Sequence, residues 1–277
     1  MKTWLITGCS SGFGRALTET LLTKGHQVAV TARRLASIKD ITDKYPETSY
    51  GLELDVCDHN AVKRAVASAI SQFGRIDVLV NNAGYCLRGA IEECSETEIH
   101  RQFDTNFFGA VDMIQEVLPY MRQAKSGAII NFSSVAALQT SEGSGFYGAS
   151  KAALEGVSDA LRKEVSPLGI KVMVVEPGPF ATDFYDRSLD INENNISDYS
   201  ATAGQRKVRI QEPDKVMPWK WGSTYKAAEA IITAIESQET PFRLLLGSYA
   251  IDCAESFIAD KQAEIQKWRE LIVSTDI

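Results

Sequence analysis

Residues 4–14 read WLITGCSSGFG, an apolar run that leads into three glycines. The run Trp4-Leu5-Ile6 is typical of a buried strand, and the amphipathic residues 14–24 predict a helix. Glycines at such a junction let the backbone approach an anion closely, while the helix directs its free N–H groups at the same point. We therefore predict a pyrophosphate-binding loop, with Gly8, Ser10, Ser11, Gly12, Phe13 and Gly14 as candidate contacts. The alternative is an ordinary turn, because Leu17 stands where a GxGxxG pattern has its third glycine.

The rest of the chain repeats this alternation of strand and helix. Apolar runs predict further strands at 28–30, 51–54, 78–80, 128–130, 172–175 and 242–246, and amphipathic stretches predict helices at 59–73, 97–124 and 148–167. Such alternation is typical of the α/β class. We predict a doubly wound, Rossmann-like parallel sheet of about seven strands with helices on both faces, formed by one domain over residues 1–277.

Two regions depart from the alternation. Residues 183–222 are weakly periodic and rich in Asn, Asp and Ser, with several aromatic residues, so we expect a substrate loop or lid. Residues 249–272 predict a C-terminal helical extension that docks on the domain or on another subunit. Before the next predicted helix, Pro213-Asp214 is followed by residues 216–221, and this run leaves the substrate preference open.

The composition excludes several classes of protein. The 277 residues include 29 basic and 36 acidic side chains, so the formal charge of −7 argues against nucleic-acid binding. No stretch approaches the run of about 18 apolar residues that a membrane-spanning helix needs, and the N-terminus lacks a signal-like segment. Five cysteines without a CxxC pair favour reduced thiols in the cytoplasm, and three dispersed histidines make a metal site improbable.

The end of the second strand bears on the choice of dinucleotide. It reads Thr31-Ala32-Arg33-Arg34, without the carboxylate that would accept hydrogen bonds from the ribose hydroxyls. Because guanidinium groups pair well with a 2′-phosphate, Arg33 and Arg34 favour NADP(H) over NAD(H). The alternative is that both arginines are solvated residues at the start of a helix.

Tyr147 and Lys151 are four residues apart at the start of the helix predicted at 148–167. Positions four apart lie on the same face of a helix, so the phenol and the ammonium can serve one site. Pairs with this spacing also occur by chance. The position of this pair gives it weight, because it follows the fifth strand and the Ser-rich end of that strand, Asn131-Phe132-Ser133-Ser134.

These motifs resemble those of the short-chain dehydrogenases/reductases in their single-domain form, over roughly residues 3–182. The resemblance rests on Thr7-Gly8-x-x-x-Gly12-x-Gly14, Leu54-Asp55-Val56, Asn81-Asn82-Ala83-Gly84, Asn106, Ser134, Tyr147-x-x-x-Lys151, and Pro177-Gly178 with Thr182. Within the family, the chain is most similar to the branch of 17β-hydroxysteroid dehydrogenases and bacterial carbonyl reductases.

The resemblance implies a role for each matching residue. Asp55 and Val56 would contact the adenine, and Asn82, Ala83 and Gly84 would line the adenosine and ribose side of the cleft. Pro177, Gly178 and Thr182 would meet the nicotinamide. Ser134, Tyr147 and Lys151 match the catalytic set, and Asn106 matches the residue that holds a proton-relay water. Tyr147 and Lys151 would also contact the cofactor, with Lys151 holding the nicotinamide ribose.

The resemblance also implies an activity: reversible, NADPH-dependent reduction of a mainly apolar ketone or aldehyde to an alcohol, with Tyr147 as the proton donor. Related enzymes pair through long helices, here 97–124 and 148–167, so a homodimer or homotetramer is expected. Two alternatives stay open. One is an epimerase or dehydratase of the nucleotide-sugar branch, and the other is a non-catalytic NADP(H)-sensing protein.

Other candidates depend on single residues. Cys9 lies inside the glycine loop, so a bulky thiol reagent there could block the cofactor, unless Cys9 is only an inert small residue. Tyr185, Tyr199, Trp219 and Trp221 either form an apolar wall over the substrate or serve as packing anchors.

Overall fold

Parallel strands form the centre of the computed structural model, which describes residues 1–182, 188–207 and 221–277. The strands are β1 (Thr3–Ile6), β2 (Gln27–Ala32), β3 (Ser49–Glu53), β4 (Val78–Asn81), β5 (Cys86–Arg88), β6 (Gly127–Phe132), β7 (Ile170–Pro177), β8 (Leu189–Ile191) and β9 (Arg243–Leu246). Seven of them form one parallel sheet in the order β3-β2-β1-β4-β6-β7-β9. The predicted doubly wound sheet is therefore confirmed.

Helices cover both faces of this sheet. They are α1 (Gly12–Thr23), α2 (Lys39–Lys44), α3 (His59–Phe73), α4 (Glu96–Phe103), α5 (Gly109–Ala124), α6 (Gly145–Val165), α7 (Thr224–Glu236) and α8 (Ser248–Val273). A π-helical turn, Asp104–Phe108, separates α4 from α5. The helix predicted over 97–124 is thus one helical run with an interruption, which the amphipathic pattern did not reveal.

Alternating side chains of the strands build two cores. Trp4 and Ile6 point to one face, where they pack with residues of α1 and α7, and Leu5 points to the other, against α3, α5 and α6. All three are fully buried. Because β1 is buried on both faces, its sequence is continuously apolar rather than alternating.

Local signals set several helix boundaries. The Asp58 carboxylate accepts hydrogen bonds from the N–H groups of Asn60 and Ala61 and so starts α3. The helix ends at Gly74, whose φ of 76° suits a residue without a Cβ. A capping box between Ser95 and Glu98 starts α4.

The strand order creates a crevice at one edge of the sheet. The chain leaves β1 towards β2 and β3 on one side, and it returns to β4, β6 and β7 on the other. The direction of winding therefore reverses between β1 and β4. Ligands of doubly wound sheets bind at this reversal, beyond the carboxyl ends of the strands.

Two further elements lie outside the main sheet. Strands β5 and β8 form a two-stranded parallel ladder in which Leu87 is paired with Asp190, and neither strand was predicted. The C-terminal helix α8 buries only Ala250 and leaves its remaining length largely exposed. In the part of the chain that the structure describes, no helix is long and apolar enough to cross a bilayer.

Candidate active site

One cleft of about 1050 Å³ brings together most of the residues that the sequence singled out. The predicted residues that line it are Gly8, Ser10, Ser11, Gly12, Phe13, Arg33, Asp55, Val56, Asn82, Ala83, Gly84, Ser134, Tyr147, Lys151, Pro177, Gly178 and Thr182. Gly14, Arg34 and Asn106 do not border the cleft directly. The cleft lies at the winding reversal described above.

The glycine loop, residues 7–14, joins β1 to α1. Gly8 and Gly12 have φ values of 74° and 57°, which other residues rarely adopt. The N–H group of Cys9 donates to the Thr31 carbonyl at 2.8 Å, so the loop is tied to β2. No side-chain hydrogen bond from Ser11 caps α1. The first N–H groups of α1 are consequently available to an anion.

Asn82 and Thr7 hold this loop in place. The Asn82 Nδ2 group donates to the carbonyls of Thr7 (2.9 Å) and Gly8 (3.1 Å). The Thr7 hydroxyl oxygen accepts hydrogen bonds from the N–H groups of Asn82 and Ala83, each at 3.0 Å. A Cβ on Gly14 would stand 2.5 Å from Asn82 Nδ2 and still closer to the Gly8 carbonyl oxygen. Asn82 and Gly14 therefore shape the loop, a role that local sequence did not show.

The two arginines differ in position at the far end of the cleft. Arg33 is exposed and lines the cleft, whereas Arg34 is exposed outside it. Among the described residues, neither guanidinium has an ion-pair partner. Asp55 lines the cleft and accepts a hydrogen bond from the Cys57 N–H at 3.0 Å, and Val56 is buried beside it. The end of β2 thus presents the guanidinium of Arg33, unpaired within the described part of the chain, to the cleft, and it presents no carboxylate.

Helix α6 carries a tyrosine and a lysine into the same cleft, one helical turn apart. Tyr147 is 8% exposed and Lys151 is 5% exposed. The Lys151 Nζ donates to the Phe132 carbonyl at 2.7 Å and lies 6.0 Å from the centre of the Tyr147 ring. Ser134 follows β6, and its Oγ accepts a hydrogen bond from the Ala136 N–H at 3.1 Å. The end of β6 and one face of α6 thus place a hydroxyl, a phenol and an amine together.

Asn106 lies behind this set, in the π-helical turn between α4 and α5. It is 1% exposed, and its amide exchanges two hydrogen bonds with the Tyr85 backbone at 3.0 and 2.9 Å. Its Nδ2 also donates to Ser150 Oγ at 3.2 Å. A Cβ on Gly84 would stand 3.1 Å from Asn106 Oδ1 and 3.5 Å from Lys151 Nζ. Asn106 therefore adjoins the lysine, while most of its hydrogen-bonding capacity is used within the fold.

The environment of Lys151 changes its acidity. Burial lowers the pKa of Lys151 from 10.5 to about 8, although the negative charge of Glu155 acts in the opposite direction. The Glu155 carboxylate accepts a hydrogen bond from Ser133 Oγ at 2.6 Å. A lysine with this pKa is mostly protonated at pH 7 and releases its proton more readily than an ordinary lysine.

The end of β7 closes the cleft on the other side. Pro177 is its last residue, and the Gly178 N–H donates to the Leu246 carbonyl at 3.0 Å. Thr182 lies beside the glycine loop, since a Cβ on Gly12 would be 3.6 Å from the Thr182 side chain. The chain after β7 therefore returns to the start of α1.

Cys9 does not reach the cleft. Its side chain is fully buried, and its Sγ donates to the Ile6 carbonyl at 3.2 Å. Burial raises the pKa of this thiol to about 11. The idea that a thiol reagent at Cys9 would block the cofactor is therefore wrong, and the alternative of an inert small residue is correct.

The described residues of the predicted aromatic wall do not border the cleft. Tyr185 and Trp219 lie outside the described residues, as do positions 183–187 and 208–220 of the predicted lid. Tyr199 donates to Glu92 at 2.7 Å and does not line the cleft. Trp221 does not line it either. The Tyr199 hydroxyl thus holds the segment to Glu92 instead of facing a substrate.

Segment 188–207 is tied to the protein by buried polar contacts. Lys207 Nζ lies 2.8 Å from the Glu93 carboxylate, and their side chains are 9% and 2% exposed. Burial would raise the pKa of Glu93, but Lys207 and two backbone N–H groups together hold it below its usual value. Asn192 Nδ2 donates to both oxygens of Glu98, at 2.9 and 2.7 Å. These contacts bring residues of the segment to the cleft.

Comparisons with known proteins agree with this geometry. The family model described as short chain dehydrogenase matches residues 2–192. A protein of Bacteroides thetaiotaomicron described as a 3-ketodihydrosphingosine reductase is 40% identical over 251 residues, which cover 88% of this chain and 87% of that protein.

Solved structures also share the architecture. A short-chain dehydrogenase from Streptomyces avermitilis is 38% identical with a TM-score of 0.92, and the match covers 100% of both chains. A structure described as ElxO with NADP bound is 26% identical with a TM-score of 0.75, and the match covers 91% of this chain and 99% of that chain.

Proposed function

Because this chain belongs to the short-chain dehydrogenase/reductase family, we propose that it is an NADPH-dependent reductase of a mainly apolar ketone or aldehyde. The reaction is reversible and gives the corresponding alcohol. The convergence of Ser134, Tyr147 and Lys151 on the cleft that starts at the glycine loop carries this proposal. The Bacteroides relative, whose name describes a keto-compound reductase, and the NADP-bound neighbour support it.

The cleft suits a dinucleotide phosphate. A side chain at Gly8 or Gly14 would collide with the surroundings of Asn82. Because glycine has no side chain, the loop fits this narrow space with its backbone N–H groups directed at an anion. Arg33, which has no ion-pair partner among the described residues, is suited to a 2′-phosphate. These two features favour NADP(H), and bound NADPH would supply the hydride for the carbonyl carbon.

Ser134 and Tyr147 are suited to act on the carbonyl oxygen. Both hydroxyls border the cleft, and negative charge grows on that oxygen as the carbon is reduced. Two hydrogen-bond donors held in advance stabilise such charge more than mobile water does. Tyr147 then transfers its phenolic proton to the oxygen, since a phenol with an ordinary pKa of about 10 is protonated at neutral pH.

Lys151 is suited to return a proton to Tyr147. Its ammonium is fixed by the Phe132 carbonyl and lies beside the phenol ring. A pKa near 8 brings the ammonium close to the working pH, so proton release costs little. Gly84 lies beside this amine, and the Asn106 amide lies beside Gly84.

The test is replacement of Tyr147 by Phe. We expect turnover to fall by about 100-fold or more, because the variant lacks the proton donor. NADPH affinity should stay close to that of the parent. Turnover is measured as the loss of near-ultraviolet absorbance of NADPH with a panel of ketones, aldehydes and steroids. NADPH affinity is measured by fluorescence titration.

Tyr120→Phe is the matched control, since Tyr120 is exposed on α5 and does not line the cleft. It should retain parental activity. Near-normal turnover in Tyr147→Phe would contradict the mechanism, and failure of the parent to consume NADPH with any carbonyl compound would contradict the function.

We also propose that the chain forms a homodimer or homotetramer in the cytoplasm, where its five free cysteines would stay reduced. Pairing through α5 and α6 is the expectation drawn from the family. Helix α8 offers a second surface for a copy of the same chain. Ile251, Ile258, Ile265 and Ile272 recur every seven residues, and each is about half exposed (49–54%).

This spacing matches one of the two apolar positions in each coiled-coil heptad, and an isolated helix with exposed apolar residues is marginal in water. The first half of α8, residues 248–260, carries only acidic charges, whereas the second half carries three basic and two acidic side chains. Two antiparallel copies would therefore place the acidic half of one helix against the net positive half of the other. Sedimentation of the Ile258→Asp variant should show a smaller assembly, and an unchanged mass would assign the assembly to α5 and α6 alone.

A further inference from the structure

The end of β5 carries a buried cation that the proposed chemistry does not use. Arg88 lines the cleft and is only 7% exposed. Its Nε and Nη1 atoms are shielded from solvent and have no hydrogen-bond acceptor. In the described part of the chain, its guanidinium forms no ion pair. An arginine cannot shed its proton to escape this situation.

A buried, unpaired charge is costly to a folded protein, so such groups usually have a partner that completes them. The cleft carboxylates do not serve Arg88. Asp190 instead pairs with Arg101 at 3.2 Å. Asp55, Asp104 and Glu142 also line the cleft, and none forms an ion pair with Arg88.

The buried thiol next to Arg88 does not balance its charge. Cys86, two residues before Arg88, lies within hydrogen-bonding and electrostatic range of Arg88, and within electrostatic range of Lys151 and Arg206. Burial raises the pKa of Cys86 to about 11, so the thiol is neutral and is no counter-ion. Arg206 also lines the cleft.

Arg88 lies at the α6 end of the cleft rather than at the Arg33 end. Its strand pairs with β8 of segment 188–207, and the neighbouring Gly89 N–H donates to the Gly143 carbonyl at 3.0 Å. Gly143 lies just before α6, which carries Tyr147. Arg33 is available to pair with the cofactor phosphate. The guanidinium of Arg88, at the other end of the cleft, would therefore pair with a different anion.

We propose that Arg88 binds an anionic group of the substrate, and that the substrate is a carbonyl compound bearing a carboxylate or a similar oxyanion. This inference rests on the proposed reductase function and narrows its substrate class. A guanidinium accepts a carboxylate through two parallel hydrogen bonds, which would satisfy the donors that have no acceptor. The carbonyl would then be held at a fixed distance from the anion, in reach of Tyr147.

The test compares the keto acid levulinate with its neutral methyl ester in Arg88→Met, Arg88→Lys and the parent. In the parent, kcat/KM for levulinate should exceed that for the ester by about 10-fold or more, as expected for charge-assisted hydrogen bonds. Arg88→Met should abolish this ratio, and Arg88→Lys should keep part of it. Arg101→Lys is the matched control, because Arg101 lines the same cleft with its charge already paired with Asp190, and a lysine that retains this pair should keep the ratio.

A binding measurement separates this inference from the proposed function. Calorimetry should show that octanoate binds the NADP⁺-loaded parent more tightly than octanol does, and that Arg88→Met loses the difference, even if no ketone is reduced. Arg88→Met should melt at the parental temperature or above it, because an apolar side chain replaces an unpaired buried charge. Equal binding of octanoate and octanol by the parent would overturn the proposal. The proposal would also be overturned if Arg88→Met kept the parental ratio of kcat/KM for levulinate to that for the ester. If that variant also melted at a lower temperature than the parent, the role of Arg88 would be to stabilise the fold.

Discussion

Replacing Gly14 by Ala adds one methyl group at the point where the glycine loop is most tightly packed. The new Cβ would stand 2.5 Å from Asn82 Nδ2 and closer to the Gly8 carbonyl oxygen, where ordinary contacts exceed 3 Å. Neither neighbour can move independently. The Asn82 amide is held by the carbonyls of Thr7 and Gly8, and Gly8 is itself in a left-handed conformation.

The cost follows from these contacts. Forcing a methyl group into a packed site costs about 1–3 kcal/mol, and each hydrogen bond that Asn82 loses adds about 1 kcal/mol. We expect the free energy of unfolding to fall by about 2–4 kcal/mol in total. The displaced loop would also lose hydrogen bonds to the cofactor phosphates. Loss of two such bonds corresponds to an increase of about 100-fold in the Kd for NADPH.

Urea unfolding measures the change in stability, and fluorescence titration measures the Kd for NADPH. Gly156→Ala is the matched control, because Gly156 is exposed within α6 and a Cβ there would meet no atom within 4 Å. That substitution should stabilise the protein by about 0.5–1 kcal/mol and leave NADPH binding unchanged. Parental stability and affinity in Gly14→Ala would refute the reasoning about the loop.

Three further substitutions test other parts of the molecule. Arg33→Asp should weaken NADPH at least about 10-fold more than NADH in titrations, and an unchanged preference would remove the proposed phosphate contact. Burial and a neighbouring carboxylate raise the pKa of Glu176 from 4.5 to about 7, so the folded chain keeps this proton longer than the unfolded chain and loses stability as the pH rises through that window. As the pH rises from 5 to 8, the free energy of unfolding of Glu176→Gln should therefore increase by about 1–3 kcal/mol relative to that of the parent, as measured by urea unfolding. A difference in unfolding free energy that does not change with pH would contradict this. Lys207→Met leaves the Glu93 carboxylate buried and unpaired, at a cost of about 3 kcal/mol, and should speed proteolysis within 188–207; unchanged cleavage would show that the ion pair does not hold the segment.

Local patterns in the sequence predicted the sheet and its connections. Buried strands such as β1 are short apolar runs, and the glycines after Ile6 mark the loop that follows. These features depend on residues close together in the chain, so a single sequence is sufficient to recognise them. The Tyr147-x-x-x-Lys151 spacing is also local, because one helical turn brings both side chains to the same face.

Contacts between distant segments decided the rest. The ladder of β5 with β8 joins residues about a hundred positions apart, and Arg88, at the end of β5, is buried at the cleft. The lowered pKa of Lys151 likewise depends on burial beneath several elements, which no local pattern encodes. The sequence by itself determined the α/β class, the order of its elements and the residues that could serve a dinucleotide. The tertiary structure alone decided which charges are paired, buried or free, because burial and pairing arise from packing between segments that the chain keeps far apart.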